Sequence, residues 1–167
     1  MQAGSCSITE HREYMVSETG CVFCTVVTAL QRADSYRFPD SGDTFRKIQE
    51  LPASIVVLMP DQYYTGYTLV ISKTHATELF HLSESESTQY LNDMLQVANA
   101  LDAVFHPRKL NYQLLGNTVA HLHWHLVPRY DCDPHPKRPI WEHSHTPNLL
   151  SPEAYDARIV AIRQHLS

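Results

Sequence analysis

The sequence predicts an α+β fold: an antiparallel β-sheet with one long helix and shorter flanking helices. Three observations point to it. Two β-branched apolar runs of strand length occur at residues 54–59 and 67–71. One long stretch follows, with Leu91, Met94, Leu95, Ala98, Leu101 and Phe105 at three- and four-residue steps. Beyond it, two further strand-like runs, residues 110–115 and 121–127, are separated by a gap of hairpin length, which argues for antiparallel pairing.

Along the chain, residues 1–20 are polar and weakly patterned and are expected to form an N-terminal extension. Residues 21–31 place Val22, Phe23, Val26, Val27 and Leu30 at helical spacing. Residues 32–42 contain the turn formers Pro39, Asp40, Ser41 and Gly42 and are expected to be a loop. The first strand run stops at Pro60-Asp61, and the second begins after Gly66. Ser83 followed by Glu86 is a capping box that opens the long helix, and His106-Pro107 closes it. A Pro-rich loop covers residues 128–147. Ser151 then serves as N-cap and Pro152 as first helical residue of a last helix, with Tyr155, Ile159, Ile162 and Leu166 as its stripe. Residues 21–150 are thus expected to form one domain, and residues 151–167 a C-terminal helix packed on it.

Composition narrows the function classes. A length of 167 residues suits one domain, and 43% hydrophobic with 19% charged residues is ordinary for a globular protein. A formal charge of -5 provides no global basic field for a nucleic-acid backbone, whereas Arg129, Lys137 and Arg138 suffice for a small phosphate ligand. No apolar run approaches the ~20 residues of a membrane span, and residues 1–10 lack the apolar stretch of a signal peptide. The four cysteines (Cys6, Cys21, Cys24 and Cys132) are expected to be reduced thiols in a cytoplasmic protein.

The chemistry concentrates in His121-Leu122-His123-Trp124-His125. On a strand, alternate side chains share a face, so the three imidazoles would line one side, ~6.6 Å apart, with Leu122, Trp124 and Leu126 on the other. Two readings remain open from spacing alone. A neutral imidazole is a competent nucleophile near pH 7, and imidazoles at alternate positions can also share a zinc ion.

The run 116–129, Gly-Asn-Thr-Val-Ala-His-Leu-His-Trp-His-Leu-Val-Pro-Arg, resembles the signature of the histidine triad (HIT) family of nucleotide hydrolases and transferases. The resemblance spans residues 21–141 and includes Cys21-x-x-Cys24 and the segment from Gly66 to His75. It implies a HIT-like fold with His123, the middle histidine, attacking the α-phosphorus to form a nucleotidyl-histidine that water then hydrolyses. It further implies that His125 contacts phosphate and assists the leaving group while His121 supports the array. Gly116, Asn117 and Thr118 match phosphate-contacting positions, and Asn111 lies near a substrate-contacting asparagine. Asp61 lies in the loop that grips the ribose, and Trp141, with Arg138, can close over a base or phosphate. Dinucleoside polyphosphates or nucleoside phosphoramidates are the implied substrates, and a homodimer the implied assembly.

Departures from the family pattern sharpen the expectations. Many relatives carry a histidine after the residue equivalent to Gly66, where this chain has Tyr67. Zinc-binding relatives are taken to use that histidine together with two cysteines and the first triad histidine. Here Cys21, Cys24 and His121 would then be only three ligands, so a closed structural zinc site is not expected, and catalysis needs no cofactor. His75 matches a retained family histidine or is a surface loop residue, and His135, His143 and His145 read as solvated loop residues. Two other functions remain in contention: metal-assisted hydrolysis with His121 and His123 as ligands, and a non-catalytic nucleotide-binding adaptor, favoured if Tyr67 marks a decayed site.

Overall fold

The computed structural model describes residues 20–166, so the expected N-terminal extension lies, except for its last residue, outside the described residues. Nine elements follow in chain order: α1 (Val22–Leu30), β1 (Ser35–Arg37), β2 (Thr44–Glu50), β3 (Ser54–Leu58), β4 (Thr68–Ser72), α2 (Glu84–Phe105), β5 (Lys109–Leu114), β6 (His123–Arg129) and α3 (Pro152–Arg163). The strands form one six-stranded sheet in the order β1-β2-β3-β4-β6-β5, with every neighbouring pair antiparallel. This is the expected α+β architecture.

Strand alternation divides the core in two. Val56, Leu58, Val70, Leu122 and Leu126 pack on one face against Met94, Val97, Ala98 and Leu101 of α2 and Ile159 and Ile162 of α3. Ile55, Val57, Leu69, Ile71 and Val127 face the other way, against Phe23, Val26, Val27 and Leu30 of α1. Burying each large aliphatic side chain contributes about 1.5–3 kcal/mol, so neither layer is dispensable. β3 and β4 are buried along their whole length, which explains their unbroken apolar runs.

Local chemistry fixes the helix ends as the sequence anticipates. The Ser83 hydroxyl accepts from the Glu86 backbone N–H, and the Glu86 carboxylate accepts in return from the Ser83 N–H at 3.0 Å. His106 ends α2 in the left-handed region, with φ at 46°. Ser151 caps α3, with Pro152 in its first turn. Gly66 carries a φ of 87°, and a Cβ there would sit 2.7 Å from the Phe105 ring; the turn into β4 therefore needs both the conformation and the missing side chain.

Three expectations change. The stretch 32–42 contains β1, and β2, which follows it, carries Arg46, Lys47 and Gln49 that hide its period from a hydrophobicity reading. His121 precedes β6 rather than belonging to it. The three imidazoles therefore do not lie on one regular strand.

Candidate active site

His123 and His125 emerge from β6 beside Ile71 and Leu69 of β4, on the α1 side of the sheet. His123 is 6% exposed, and the Phe23 ring meets it edge-on at 4.7 Å. Its Nδ1 donates to the main-chain carbonyl of His121 at 2.6 Å, which assigns the lone pair to Nε2. Burial lowers the pKa of His123, partly opposed by that same hydrogen bond, so the ring stays neutral at pH 7. One nitrogen is thus wired as donor and the other bears no protein partner among the described residues, which is the arrangement a nucleophilic imidazole requires.

His125 lies next to it, the rings 4.8 Å apart. Burial, and then the neighbouring His123, push its pKa down to about 4. Tyr67 is 7% exposed, and its phenol oxygen is 2.6 Å from His125 Nδ1. Trp141, 52% exposed, meets the other side of His125 edge-on at 5.2 Å and donates its indole N–H to Gln113 at 2.8 Å. Gln113 is cross-strand partner of His125, so Trp141 is seated against β5 as well as over the histidine.

The phosphate-contacting positions sit in the turn before β6. Gly116 has a φ of 78°, a conformation that favours glycine. Asn117 and Thr118 are exposed, and their side chains bond to no other group among the described residues, which leaves their polar atoms available to a ligand. The remaining assigned residues are engaged in the protein itself. Asn111 accepts from the guanidinium of Arg129 at 2.9 Å. Arg129 is buried, paired with Asp133 at 2.6 Å, and donates to the carbonyls of His135 and Arg138, so it holds the Pro-rich loop instead of contacting a phosphate. Lys137 and Arg138 line a groove of about 420 Å³ with Asn111 and Gln113.

Asp61 accepts from the backbone N–H groups of Tyr63 and Asn148, both at 2.9 Å, and pairs with His145 Nε2 at 2.7 Å. Burial opposes its ionisation, but these donors outweigh it and hold the carboxyl below its usual range. His145 is therefore not a solvated loop residue. It stacks on Tyr63 at 4.0 Å, with His143 near the same ring. The sequence signal was faint, because its partner lies 84 positions away.

The two thiols lie in a cluster of four donors that the sequence reading had as three. Cys21, Cys24, His75 and His121 bring one ligand atom each to within 4.8 Å of one another. Sγ of Cys21 is 3.4 Å from His121 Nδ1, Sγ of Cys24 is 3.3 Å from His75 Nδ1, and the two Nδ1 atoms are 3.3 Å apart. A tetrahedron with zinc–ligand bonds of about 2.0–2.3 Å has edges of roughly 3.3–3.8 Å, and the Cys21–His121, Cys24–His121, Cys24–His75 and His75–His121 separations fall in that range. His121 Nε2 donates to the Ser72 carbonyl at 2.8 Å, which turns the Nδ1 lone pair into the cluster. The fourth donor of the cluster is His75 rather than residue 67: β4 and β6 pair so that His75, just past β4, meets His121, just before β6. His123 is not part of the cluster.

Fold and histidine run together define a histidine triad protein. The HIT domain pattern matches residues 43–132, just over half of the chain, and the chain belongs to this family. It is similar to Protein hit of Bacillus subtilis, 28% identical over 116 residues that make up 66% of this chain and 71% of the relative. The adenosine 5'-monophosphoramidase of Candida albicans is 24% identical over 130 residues, 70% of this chain and 75% of that protein. Among solved structures, a histidine triad protein from Bradyrhizobium japonicum superimposes with a TM-score of 0.68 at 27% identity, covering 74% of this chain and 91% of the other.

Proposed function

We propose that this chain is a nucleotide hydrolase or nucleotidyl transferase that acts at the α-phosphorus through a nucleotidyl-histidine on His123. The observation that carries this reading is the hydrogen bond from His123 Nδ1 to the His121 carbonyl, which presents the Nε2 lone pair. Family membership and the name of the Candida relative support nucleotides as substrates, with nucleoside phosphoramidates one class; dinucleoside polyphosphates are the other class we propose.

In the first step the His123 Nε2 lone pair forms a bond to phosphorus, and the bond to the leaving group breaks with its electron pair. The phosphorylated ring keeps Nδ1–H on the His121 carbonyl, so the positive charge of the adduct is partly met by that oxygen. His125 hydrogen-bonds the departing side, and Asn117 and Thr118 meet the non-bridging oxygens. Water, or another acceptor in a transfer, then bonds to phosphorus as the P–Nε2 bond breaks with its electron pair returning to Nε2. The proton of the attacking hydroxyl is released to solvent, which restores the neutral imidazole. Trapping the adduct tests this reading. His123→Ala is expected to lower turnover by a factor on the order of 10⁴ or more and to abolish an acid-labile nucleotide mass increment. Undiminished turnover of every nucleotide by that variant would refute it.

We propose in addition that Cys21, Cys24, His75 and His121 hold a structural zinc ion. The four-donor set suits a closed tetrahedral site, in which the metal supplies a crosslink rather than a reacting group. The crosslink would join the start of α1, the end of β4 and the start of β6. A second copy of the chain is the proposed partner: β5 is an edge strand, with Tyr112 exposed on it and Leu115 exposed just past its end.

A further inference from the structure

Tyr67 is buried beside the reacting ring and is the only hydrogen-bond partner of His125 among the described residues. A phenol carries one hydrogen. The Tyr67 oxygen reaches no other acceptor among the described residues, and an O–H donated to His125 Nδ1 across 2.6 Å is the arrangement that satisfies this hydrogen within the protein. The imidazole's own hydrogen is then on Nε2. Burial, with the charge of Asp61 adding to it, raises the pKa of Tyr67, so the phenol keeps its proton throughout the working range. A histidine at position 67 could carry a positive charge and pass a proton through His125. A phenol cannot.

We propose that Tyr67 makes His125 a neutral hydrogen-bond donor rather than an acid, and so selects nucleoside 5'-phosphoanhydrides over nucleoside 5'-phosphoramidates. The inference rests on His123 being the nucleophile. With an anhydride, the Nε2–P bond forms, the P–O bond breaks, and the electron pair stays on a phosphate oxygen that is stable as an anion. No proton is required, and the Nε2–H of His125 need only donate a hydrogen bond. With a phosphoramidate, the P–N bond breaks and the electron pair goes to nitrogen, which must gain a proton as it leaves. Neither a neutral imidazole N–H nor a buried phenol is acidic enough to supply it. Tyr67 is a positioning residue here: it acts on the leaving group through His125.

The experiment compares diadenosine tetraphosphate with adenosine 5'-phosphoramidate as substrates of the full chain, wild type beside Tyr67→His and Tyr67→Phe. Wild type is expected to favour the anhydride by a hundredfold or more in kcat/KM, in line with the roughly 10²–10⁴ that a positioned acid contributes. Tyr67→His is expected to move that ratio at least tenfold toward the phosphoramidate, whereas Tyr67→Phe, which frees the His125 tautomer but adds no acid, is expected to lower kcat/KM for the anhydride severalfold without raising that for the phosphoramidate. In ¹⁵N-histidine NMR spectra, wild-type His125 should show one tautomer with hydrogen on Nε2, and Tyr67→Phe a mixture. Equal kcat/KM on the two substrates, hydrogen on Nδ1, or an active Tyr67→His with an unchanged ratio would each overturn the proposal. Absence of any adduct on His123 would instead strike the nucleophile reading, and the NMR spectra would still decide the tautomer.

Discussion

His121 and His125 are the same side chain four positions apart, and the fold uses them in opposite ways. Every polar atom of the His121 ring faces protein: Nε2 meets the Ser72 carbonyl and Nδ1 meets the thiols and His75. His125 is held by one bond, from Tyr67, and keeps Nε2 without a protein partner among the described residues. His123 stands between them, half wired. The comparison shows that an alternating histidine run is not one functional unit. Neighbouring strands set each ring's surroundings by offering or withholding a partner, and the proposed chemistry uses the rings left incompletely satisfied.

The strongest way to break that contrast is to strip the His121 end. Chelation of the zinc-loaded protein, or His75→Ala, is expected to destabilise the fold by several kcal/mol, on the order of 10 °C in Tm, with loss of stoichiometric zinc by elemental analysis. The same treatment should lower activity only as far as it loosens the His121 carbonyl under His123. A protein that binds no zinc and keeps its Tm in chelator would show that the four donors are held by packing alone.

A change of pH tests the other end. The folded pKa of His125, about 4, lies below the ~6.5 of an unfolded imidazole, and that of His123 is lowered as well. On acidification the unfolded chain therefore takes up these protons first. The stability these rings contribute is complete above about pH 6.5 and is lost as the pH falls from there toward 4. The acid limb of kcat/KM should likewise lie below 6.5, since His123 remains neutral beyond the usual imidazole range. An acid limb at or above 6.5 would mean that His123 is more solvated than its contacts imply.

The smallest effect is expected from Trp141→Ala. The ring is half exposed and touches His125 only at an edge, so stability should move by about 0.5 kcal/mol or less. Losing one aromatic contact with a bound base should raise KM about fivefold at nearly constant kcat. A large fall in kcat would place Trp141 in the positioning of His125.

Much of this was legible in the sequence, and the exceptions have a common cause. β3 and β4 announce themselves because both of their faces are buried. The capping box at Ser83 and Glu86 is local chemistry and reads directly. β2 was missed because Lys47 donates to the Leu30 carbonyl and Arg46 pairs with Asp156, so charged side chains occupy strand positions for reasons that lie elsewhere in the chain. His75 could not be recognised as a partner of His121 before the β4–β6 register was known. The same holds for His145 with Asp61. Residues whose surroundings depend on a distant partner were left open or read as solvated, whereas the His123 contact needs only the carbonyl two residues before it.

The Pro-rich loop has one more consequence. Arg129 grips its near part through Asp133, His135 and Arg138, and Asp61 grips its far part through His145 and Asn148. Trp141 hangs between these two clamps. A segment tied at both ends acts as a fixed wall rather than a closing flap, and the entropy of ordering it is lost when the chain folds, not when a ligand arrives. A nucleotide would then meet a binding face already in place. Its association rate should be limited by encounter and orientation, with no slow closing phase in stopped-flow traces.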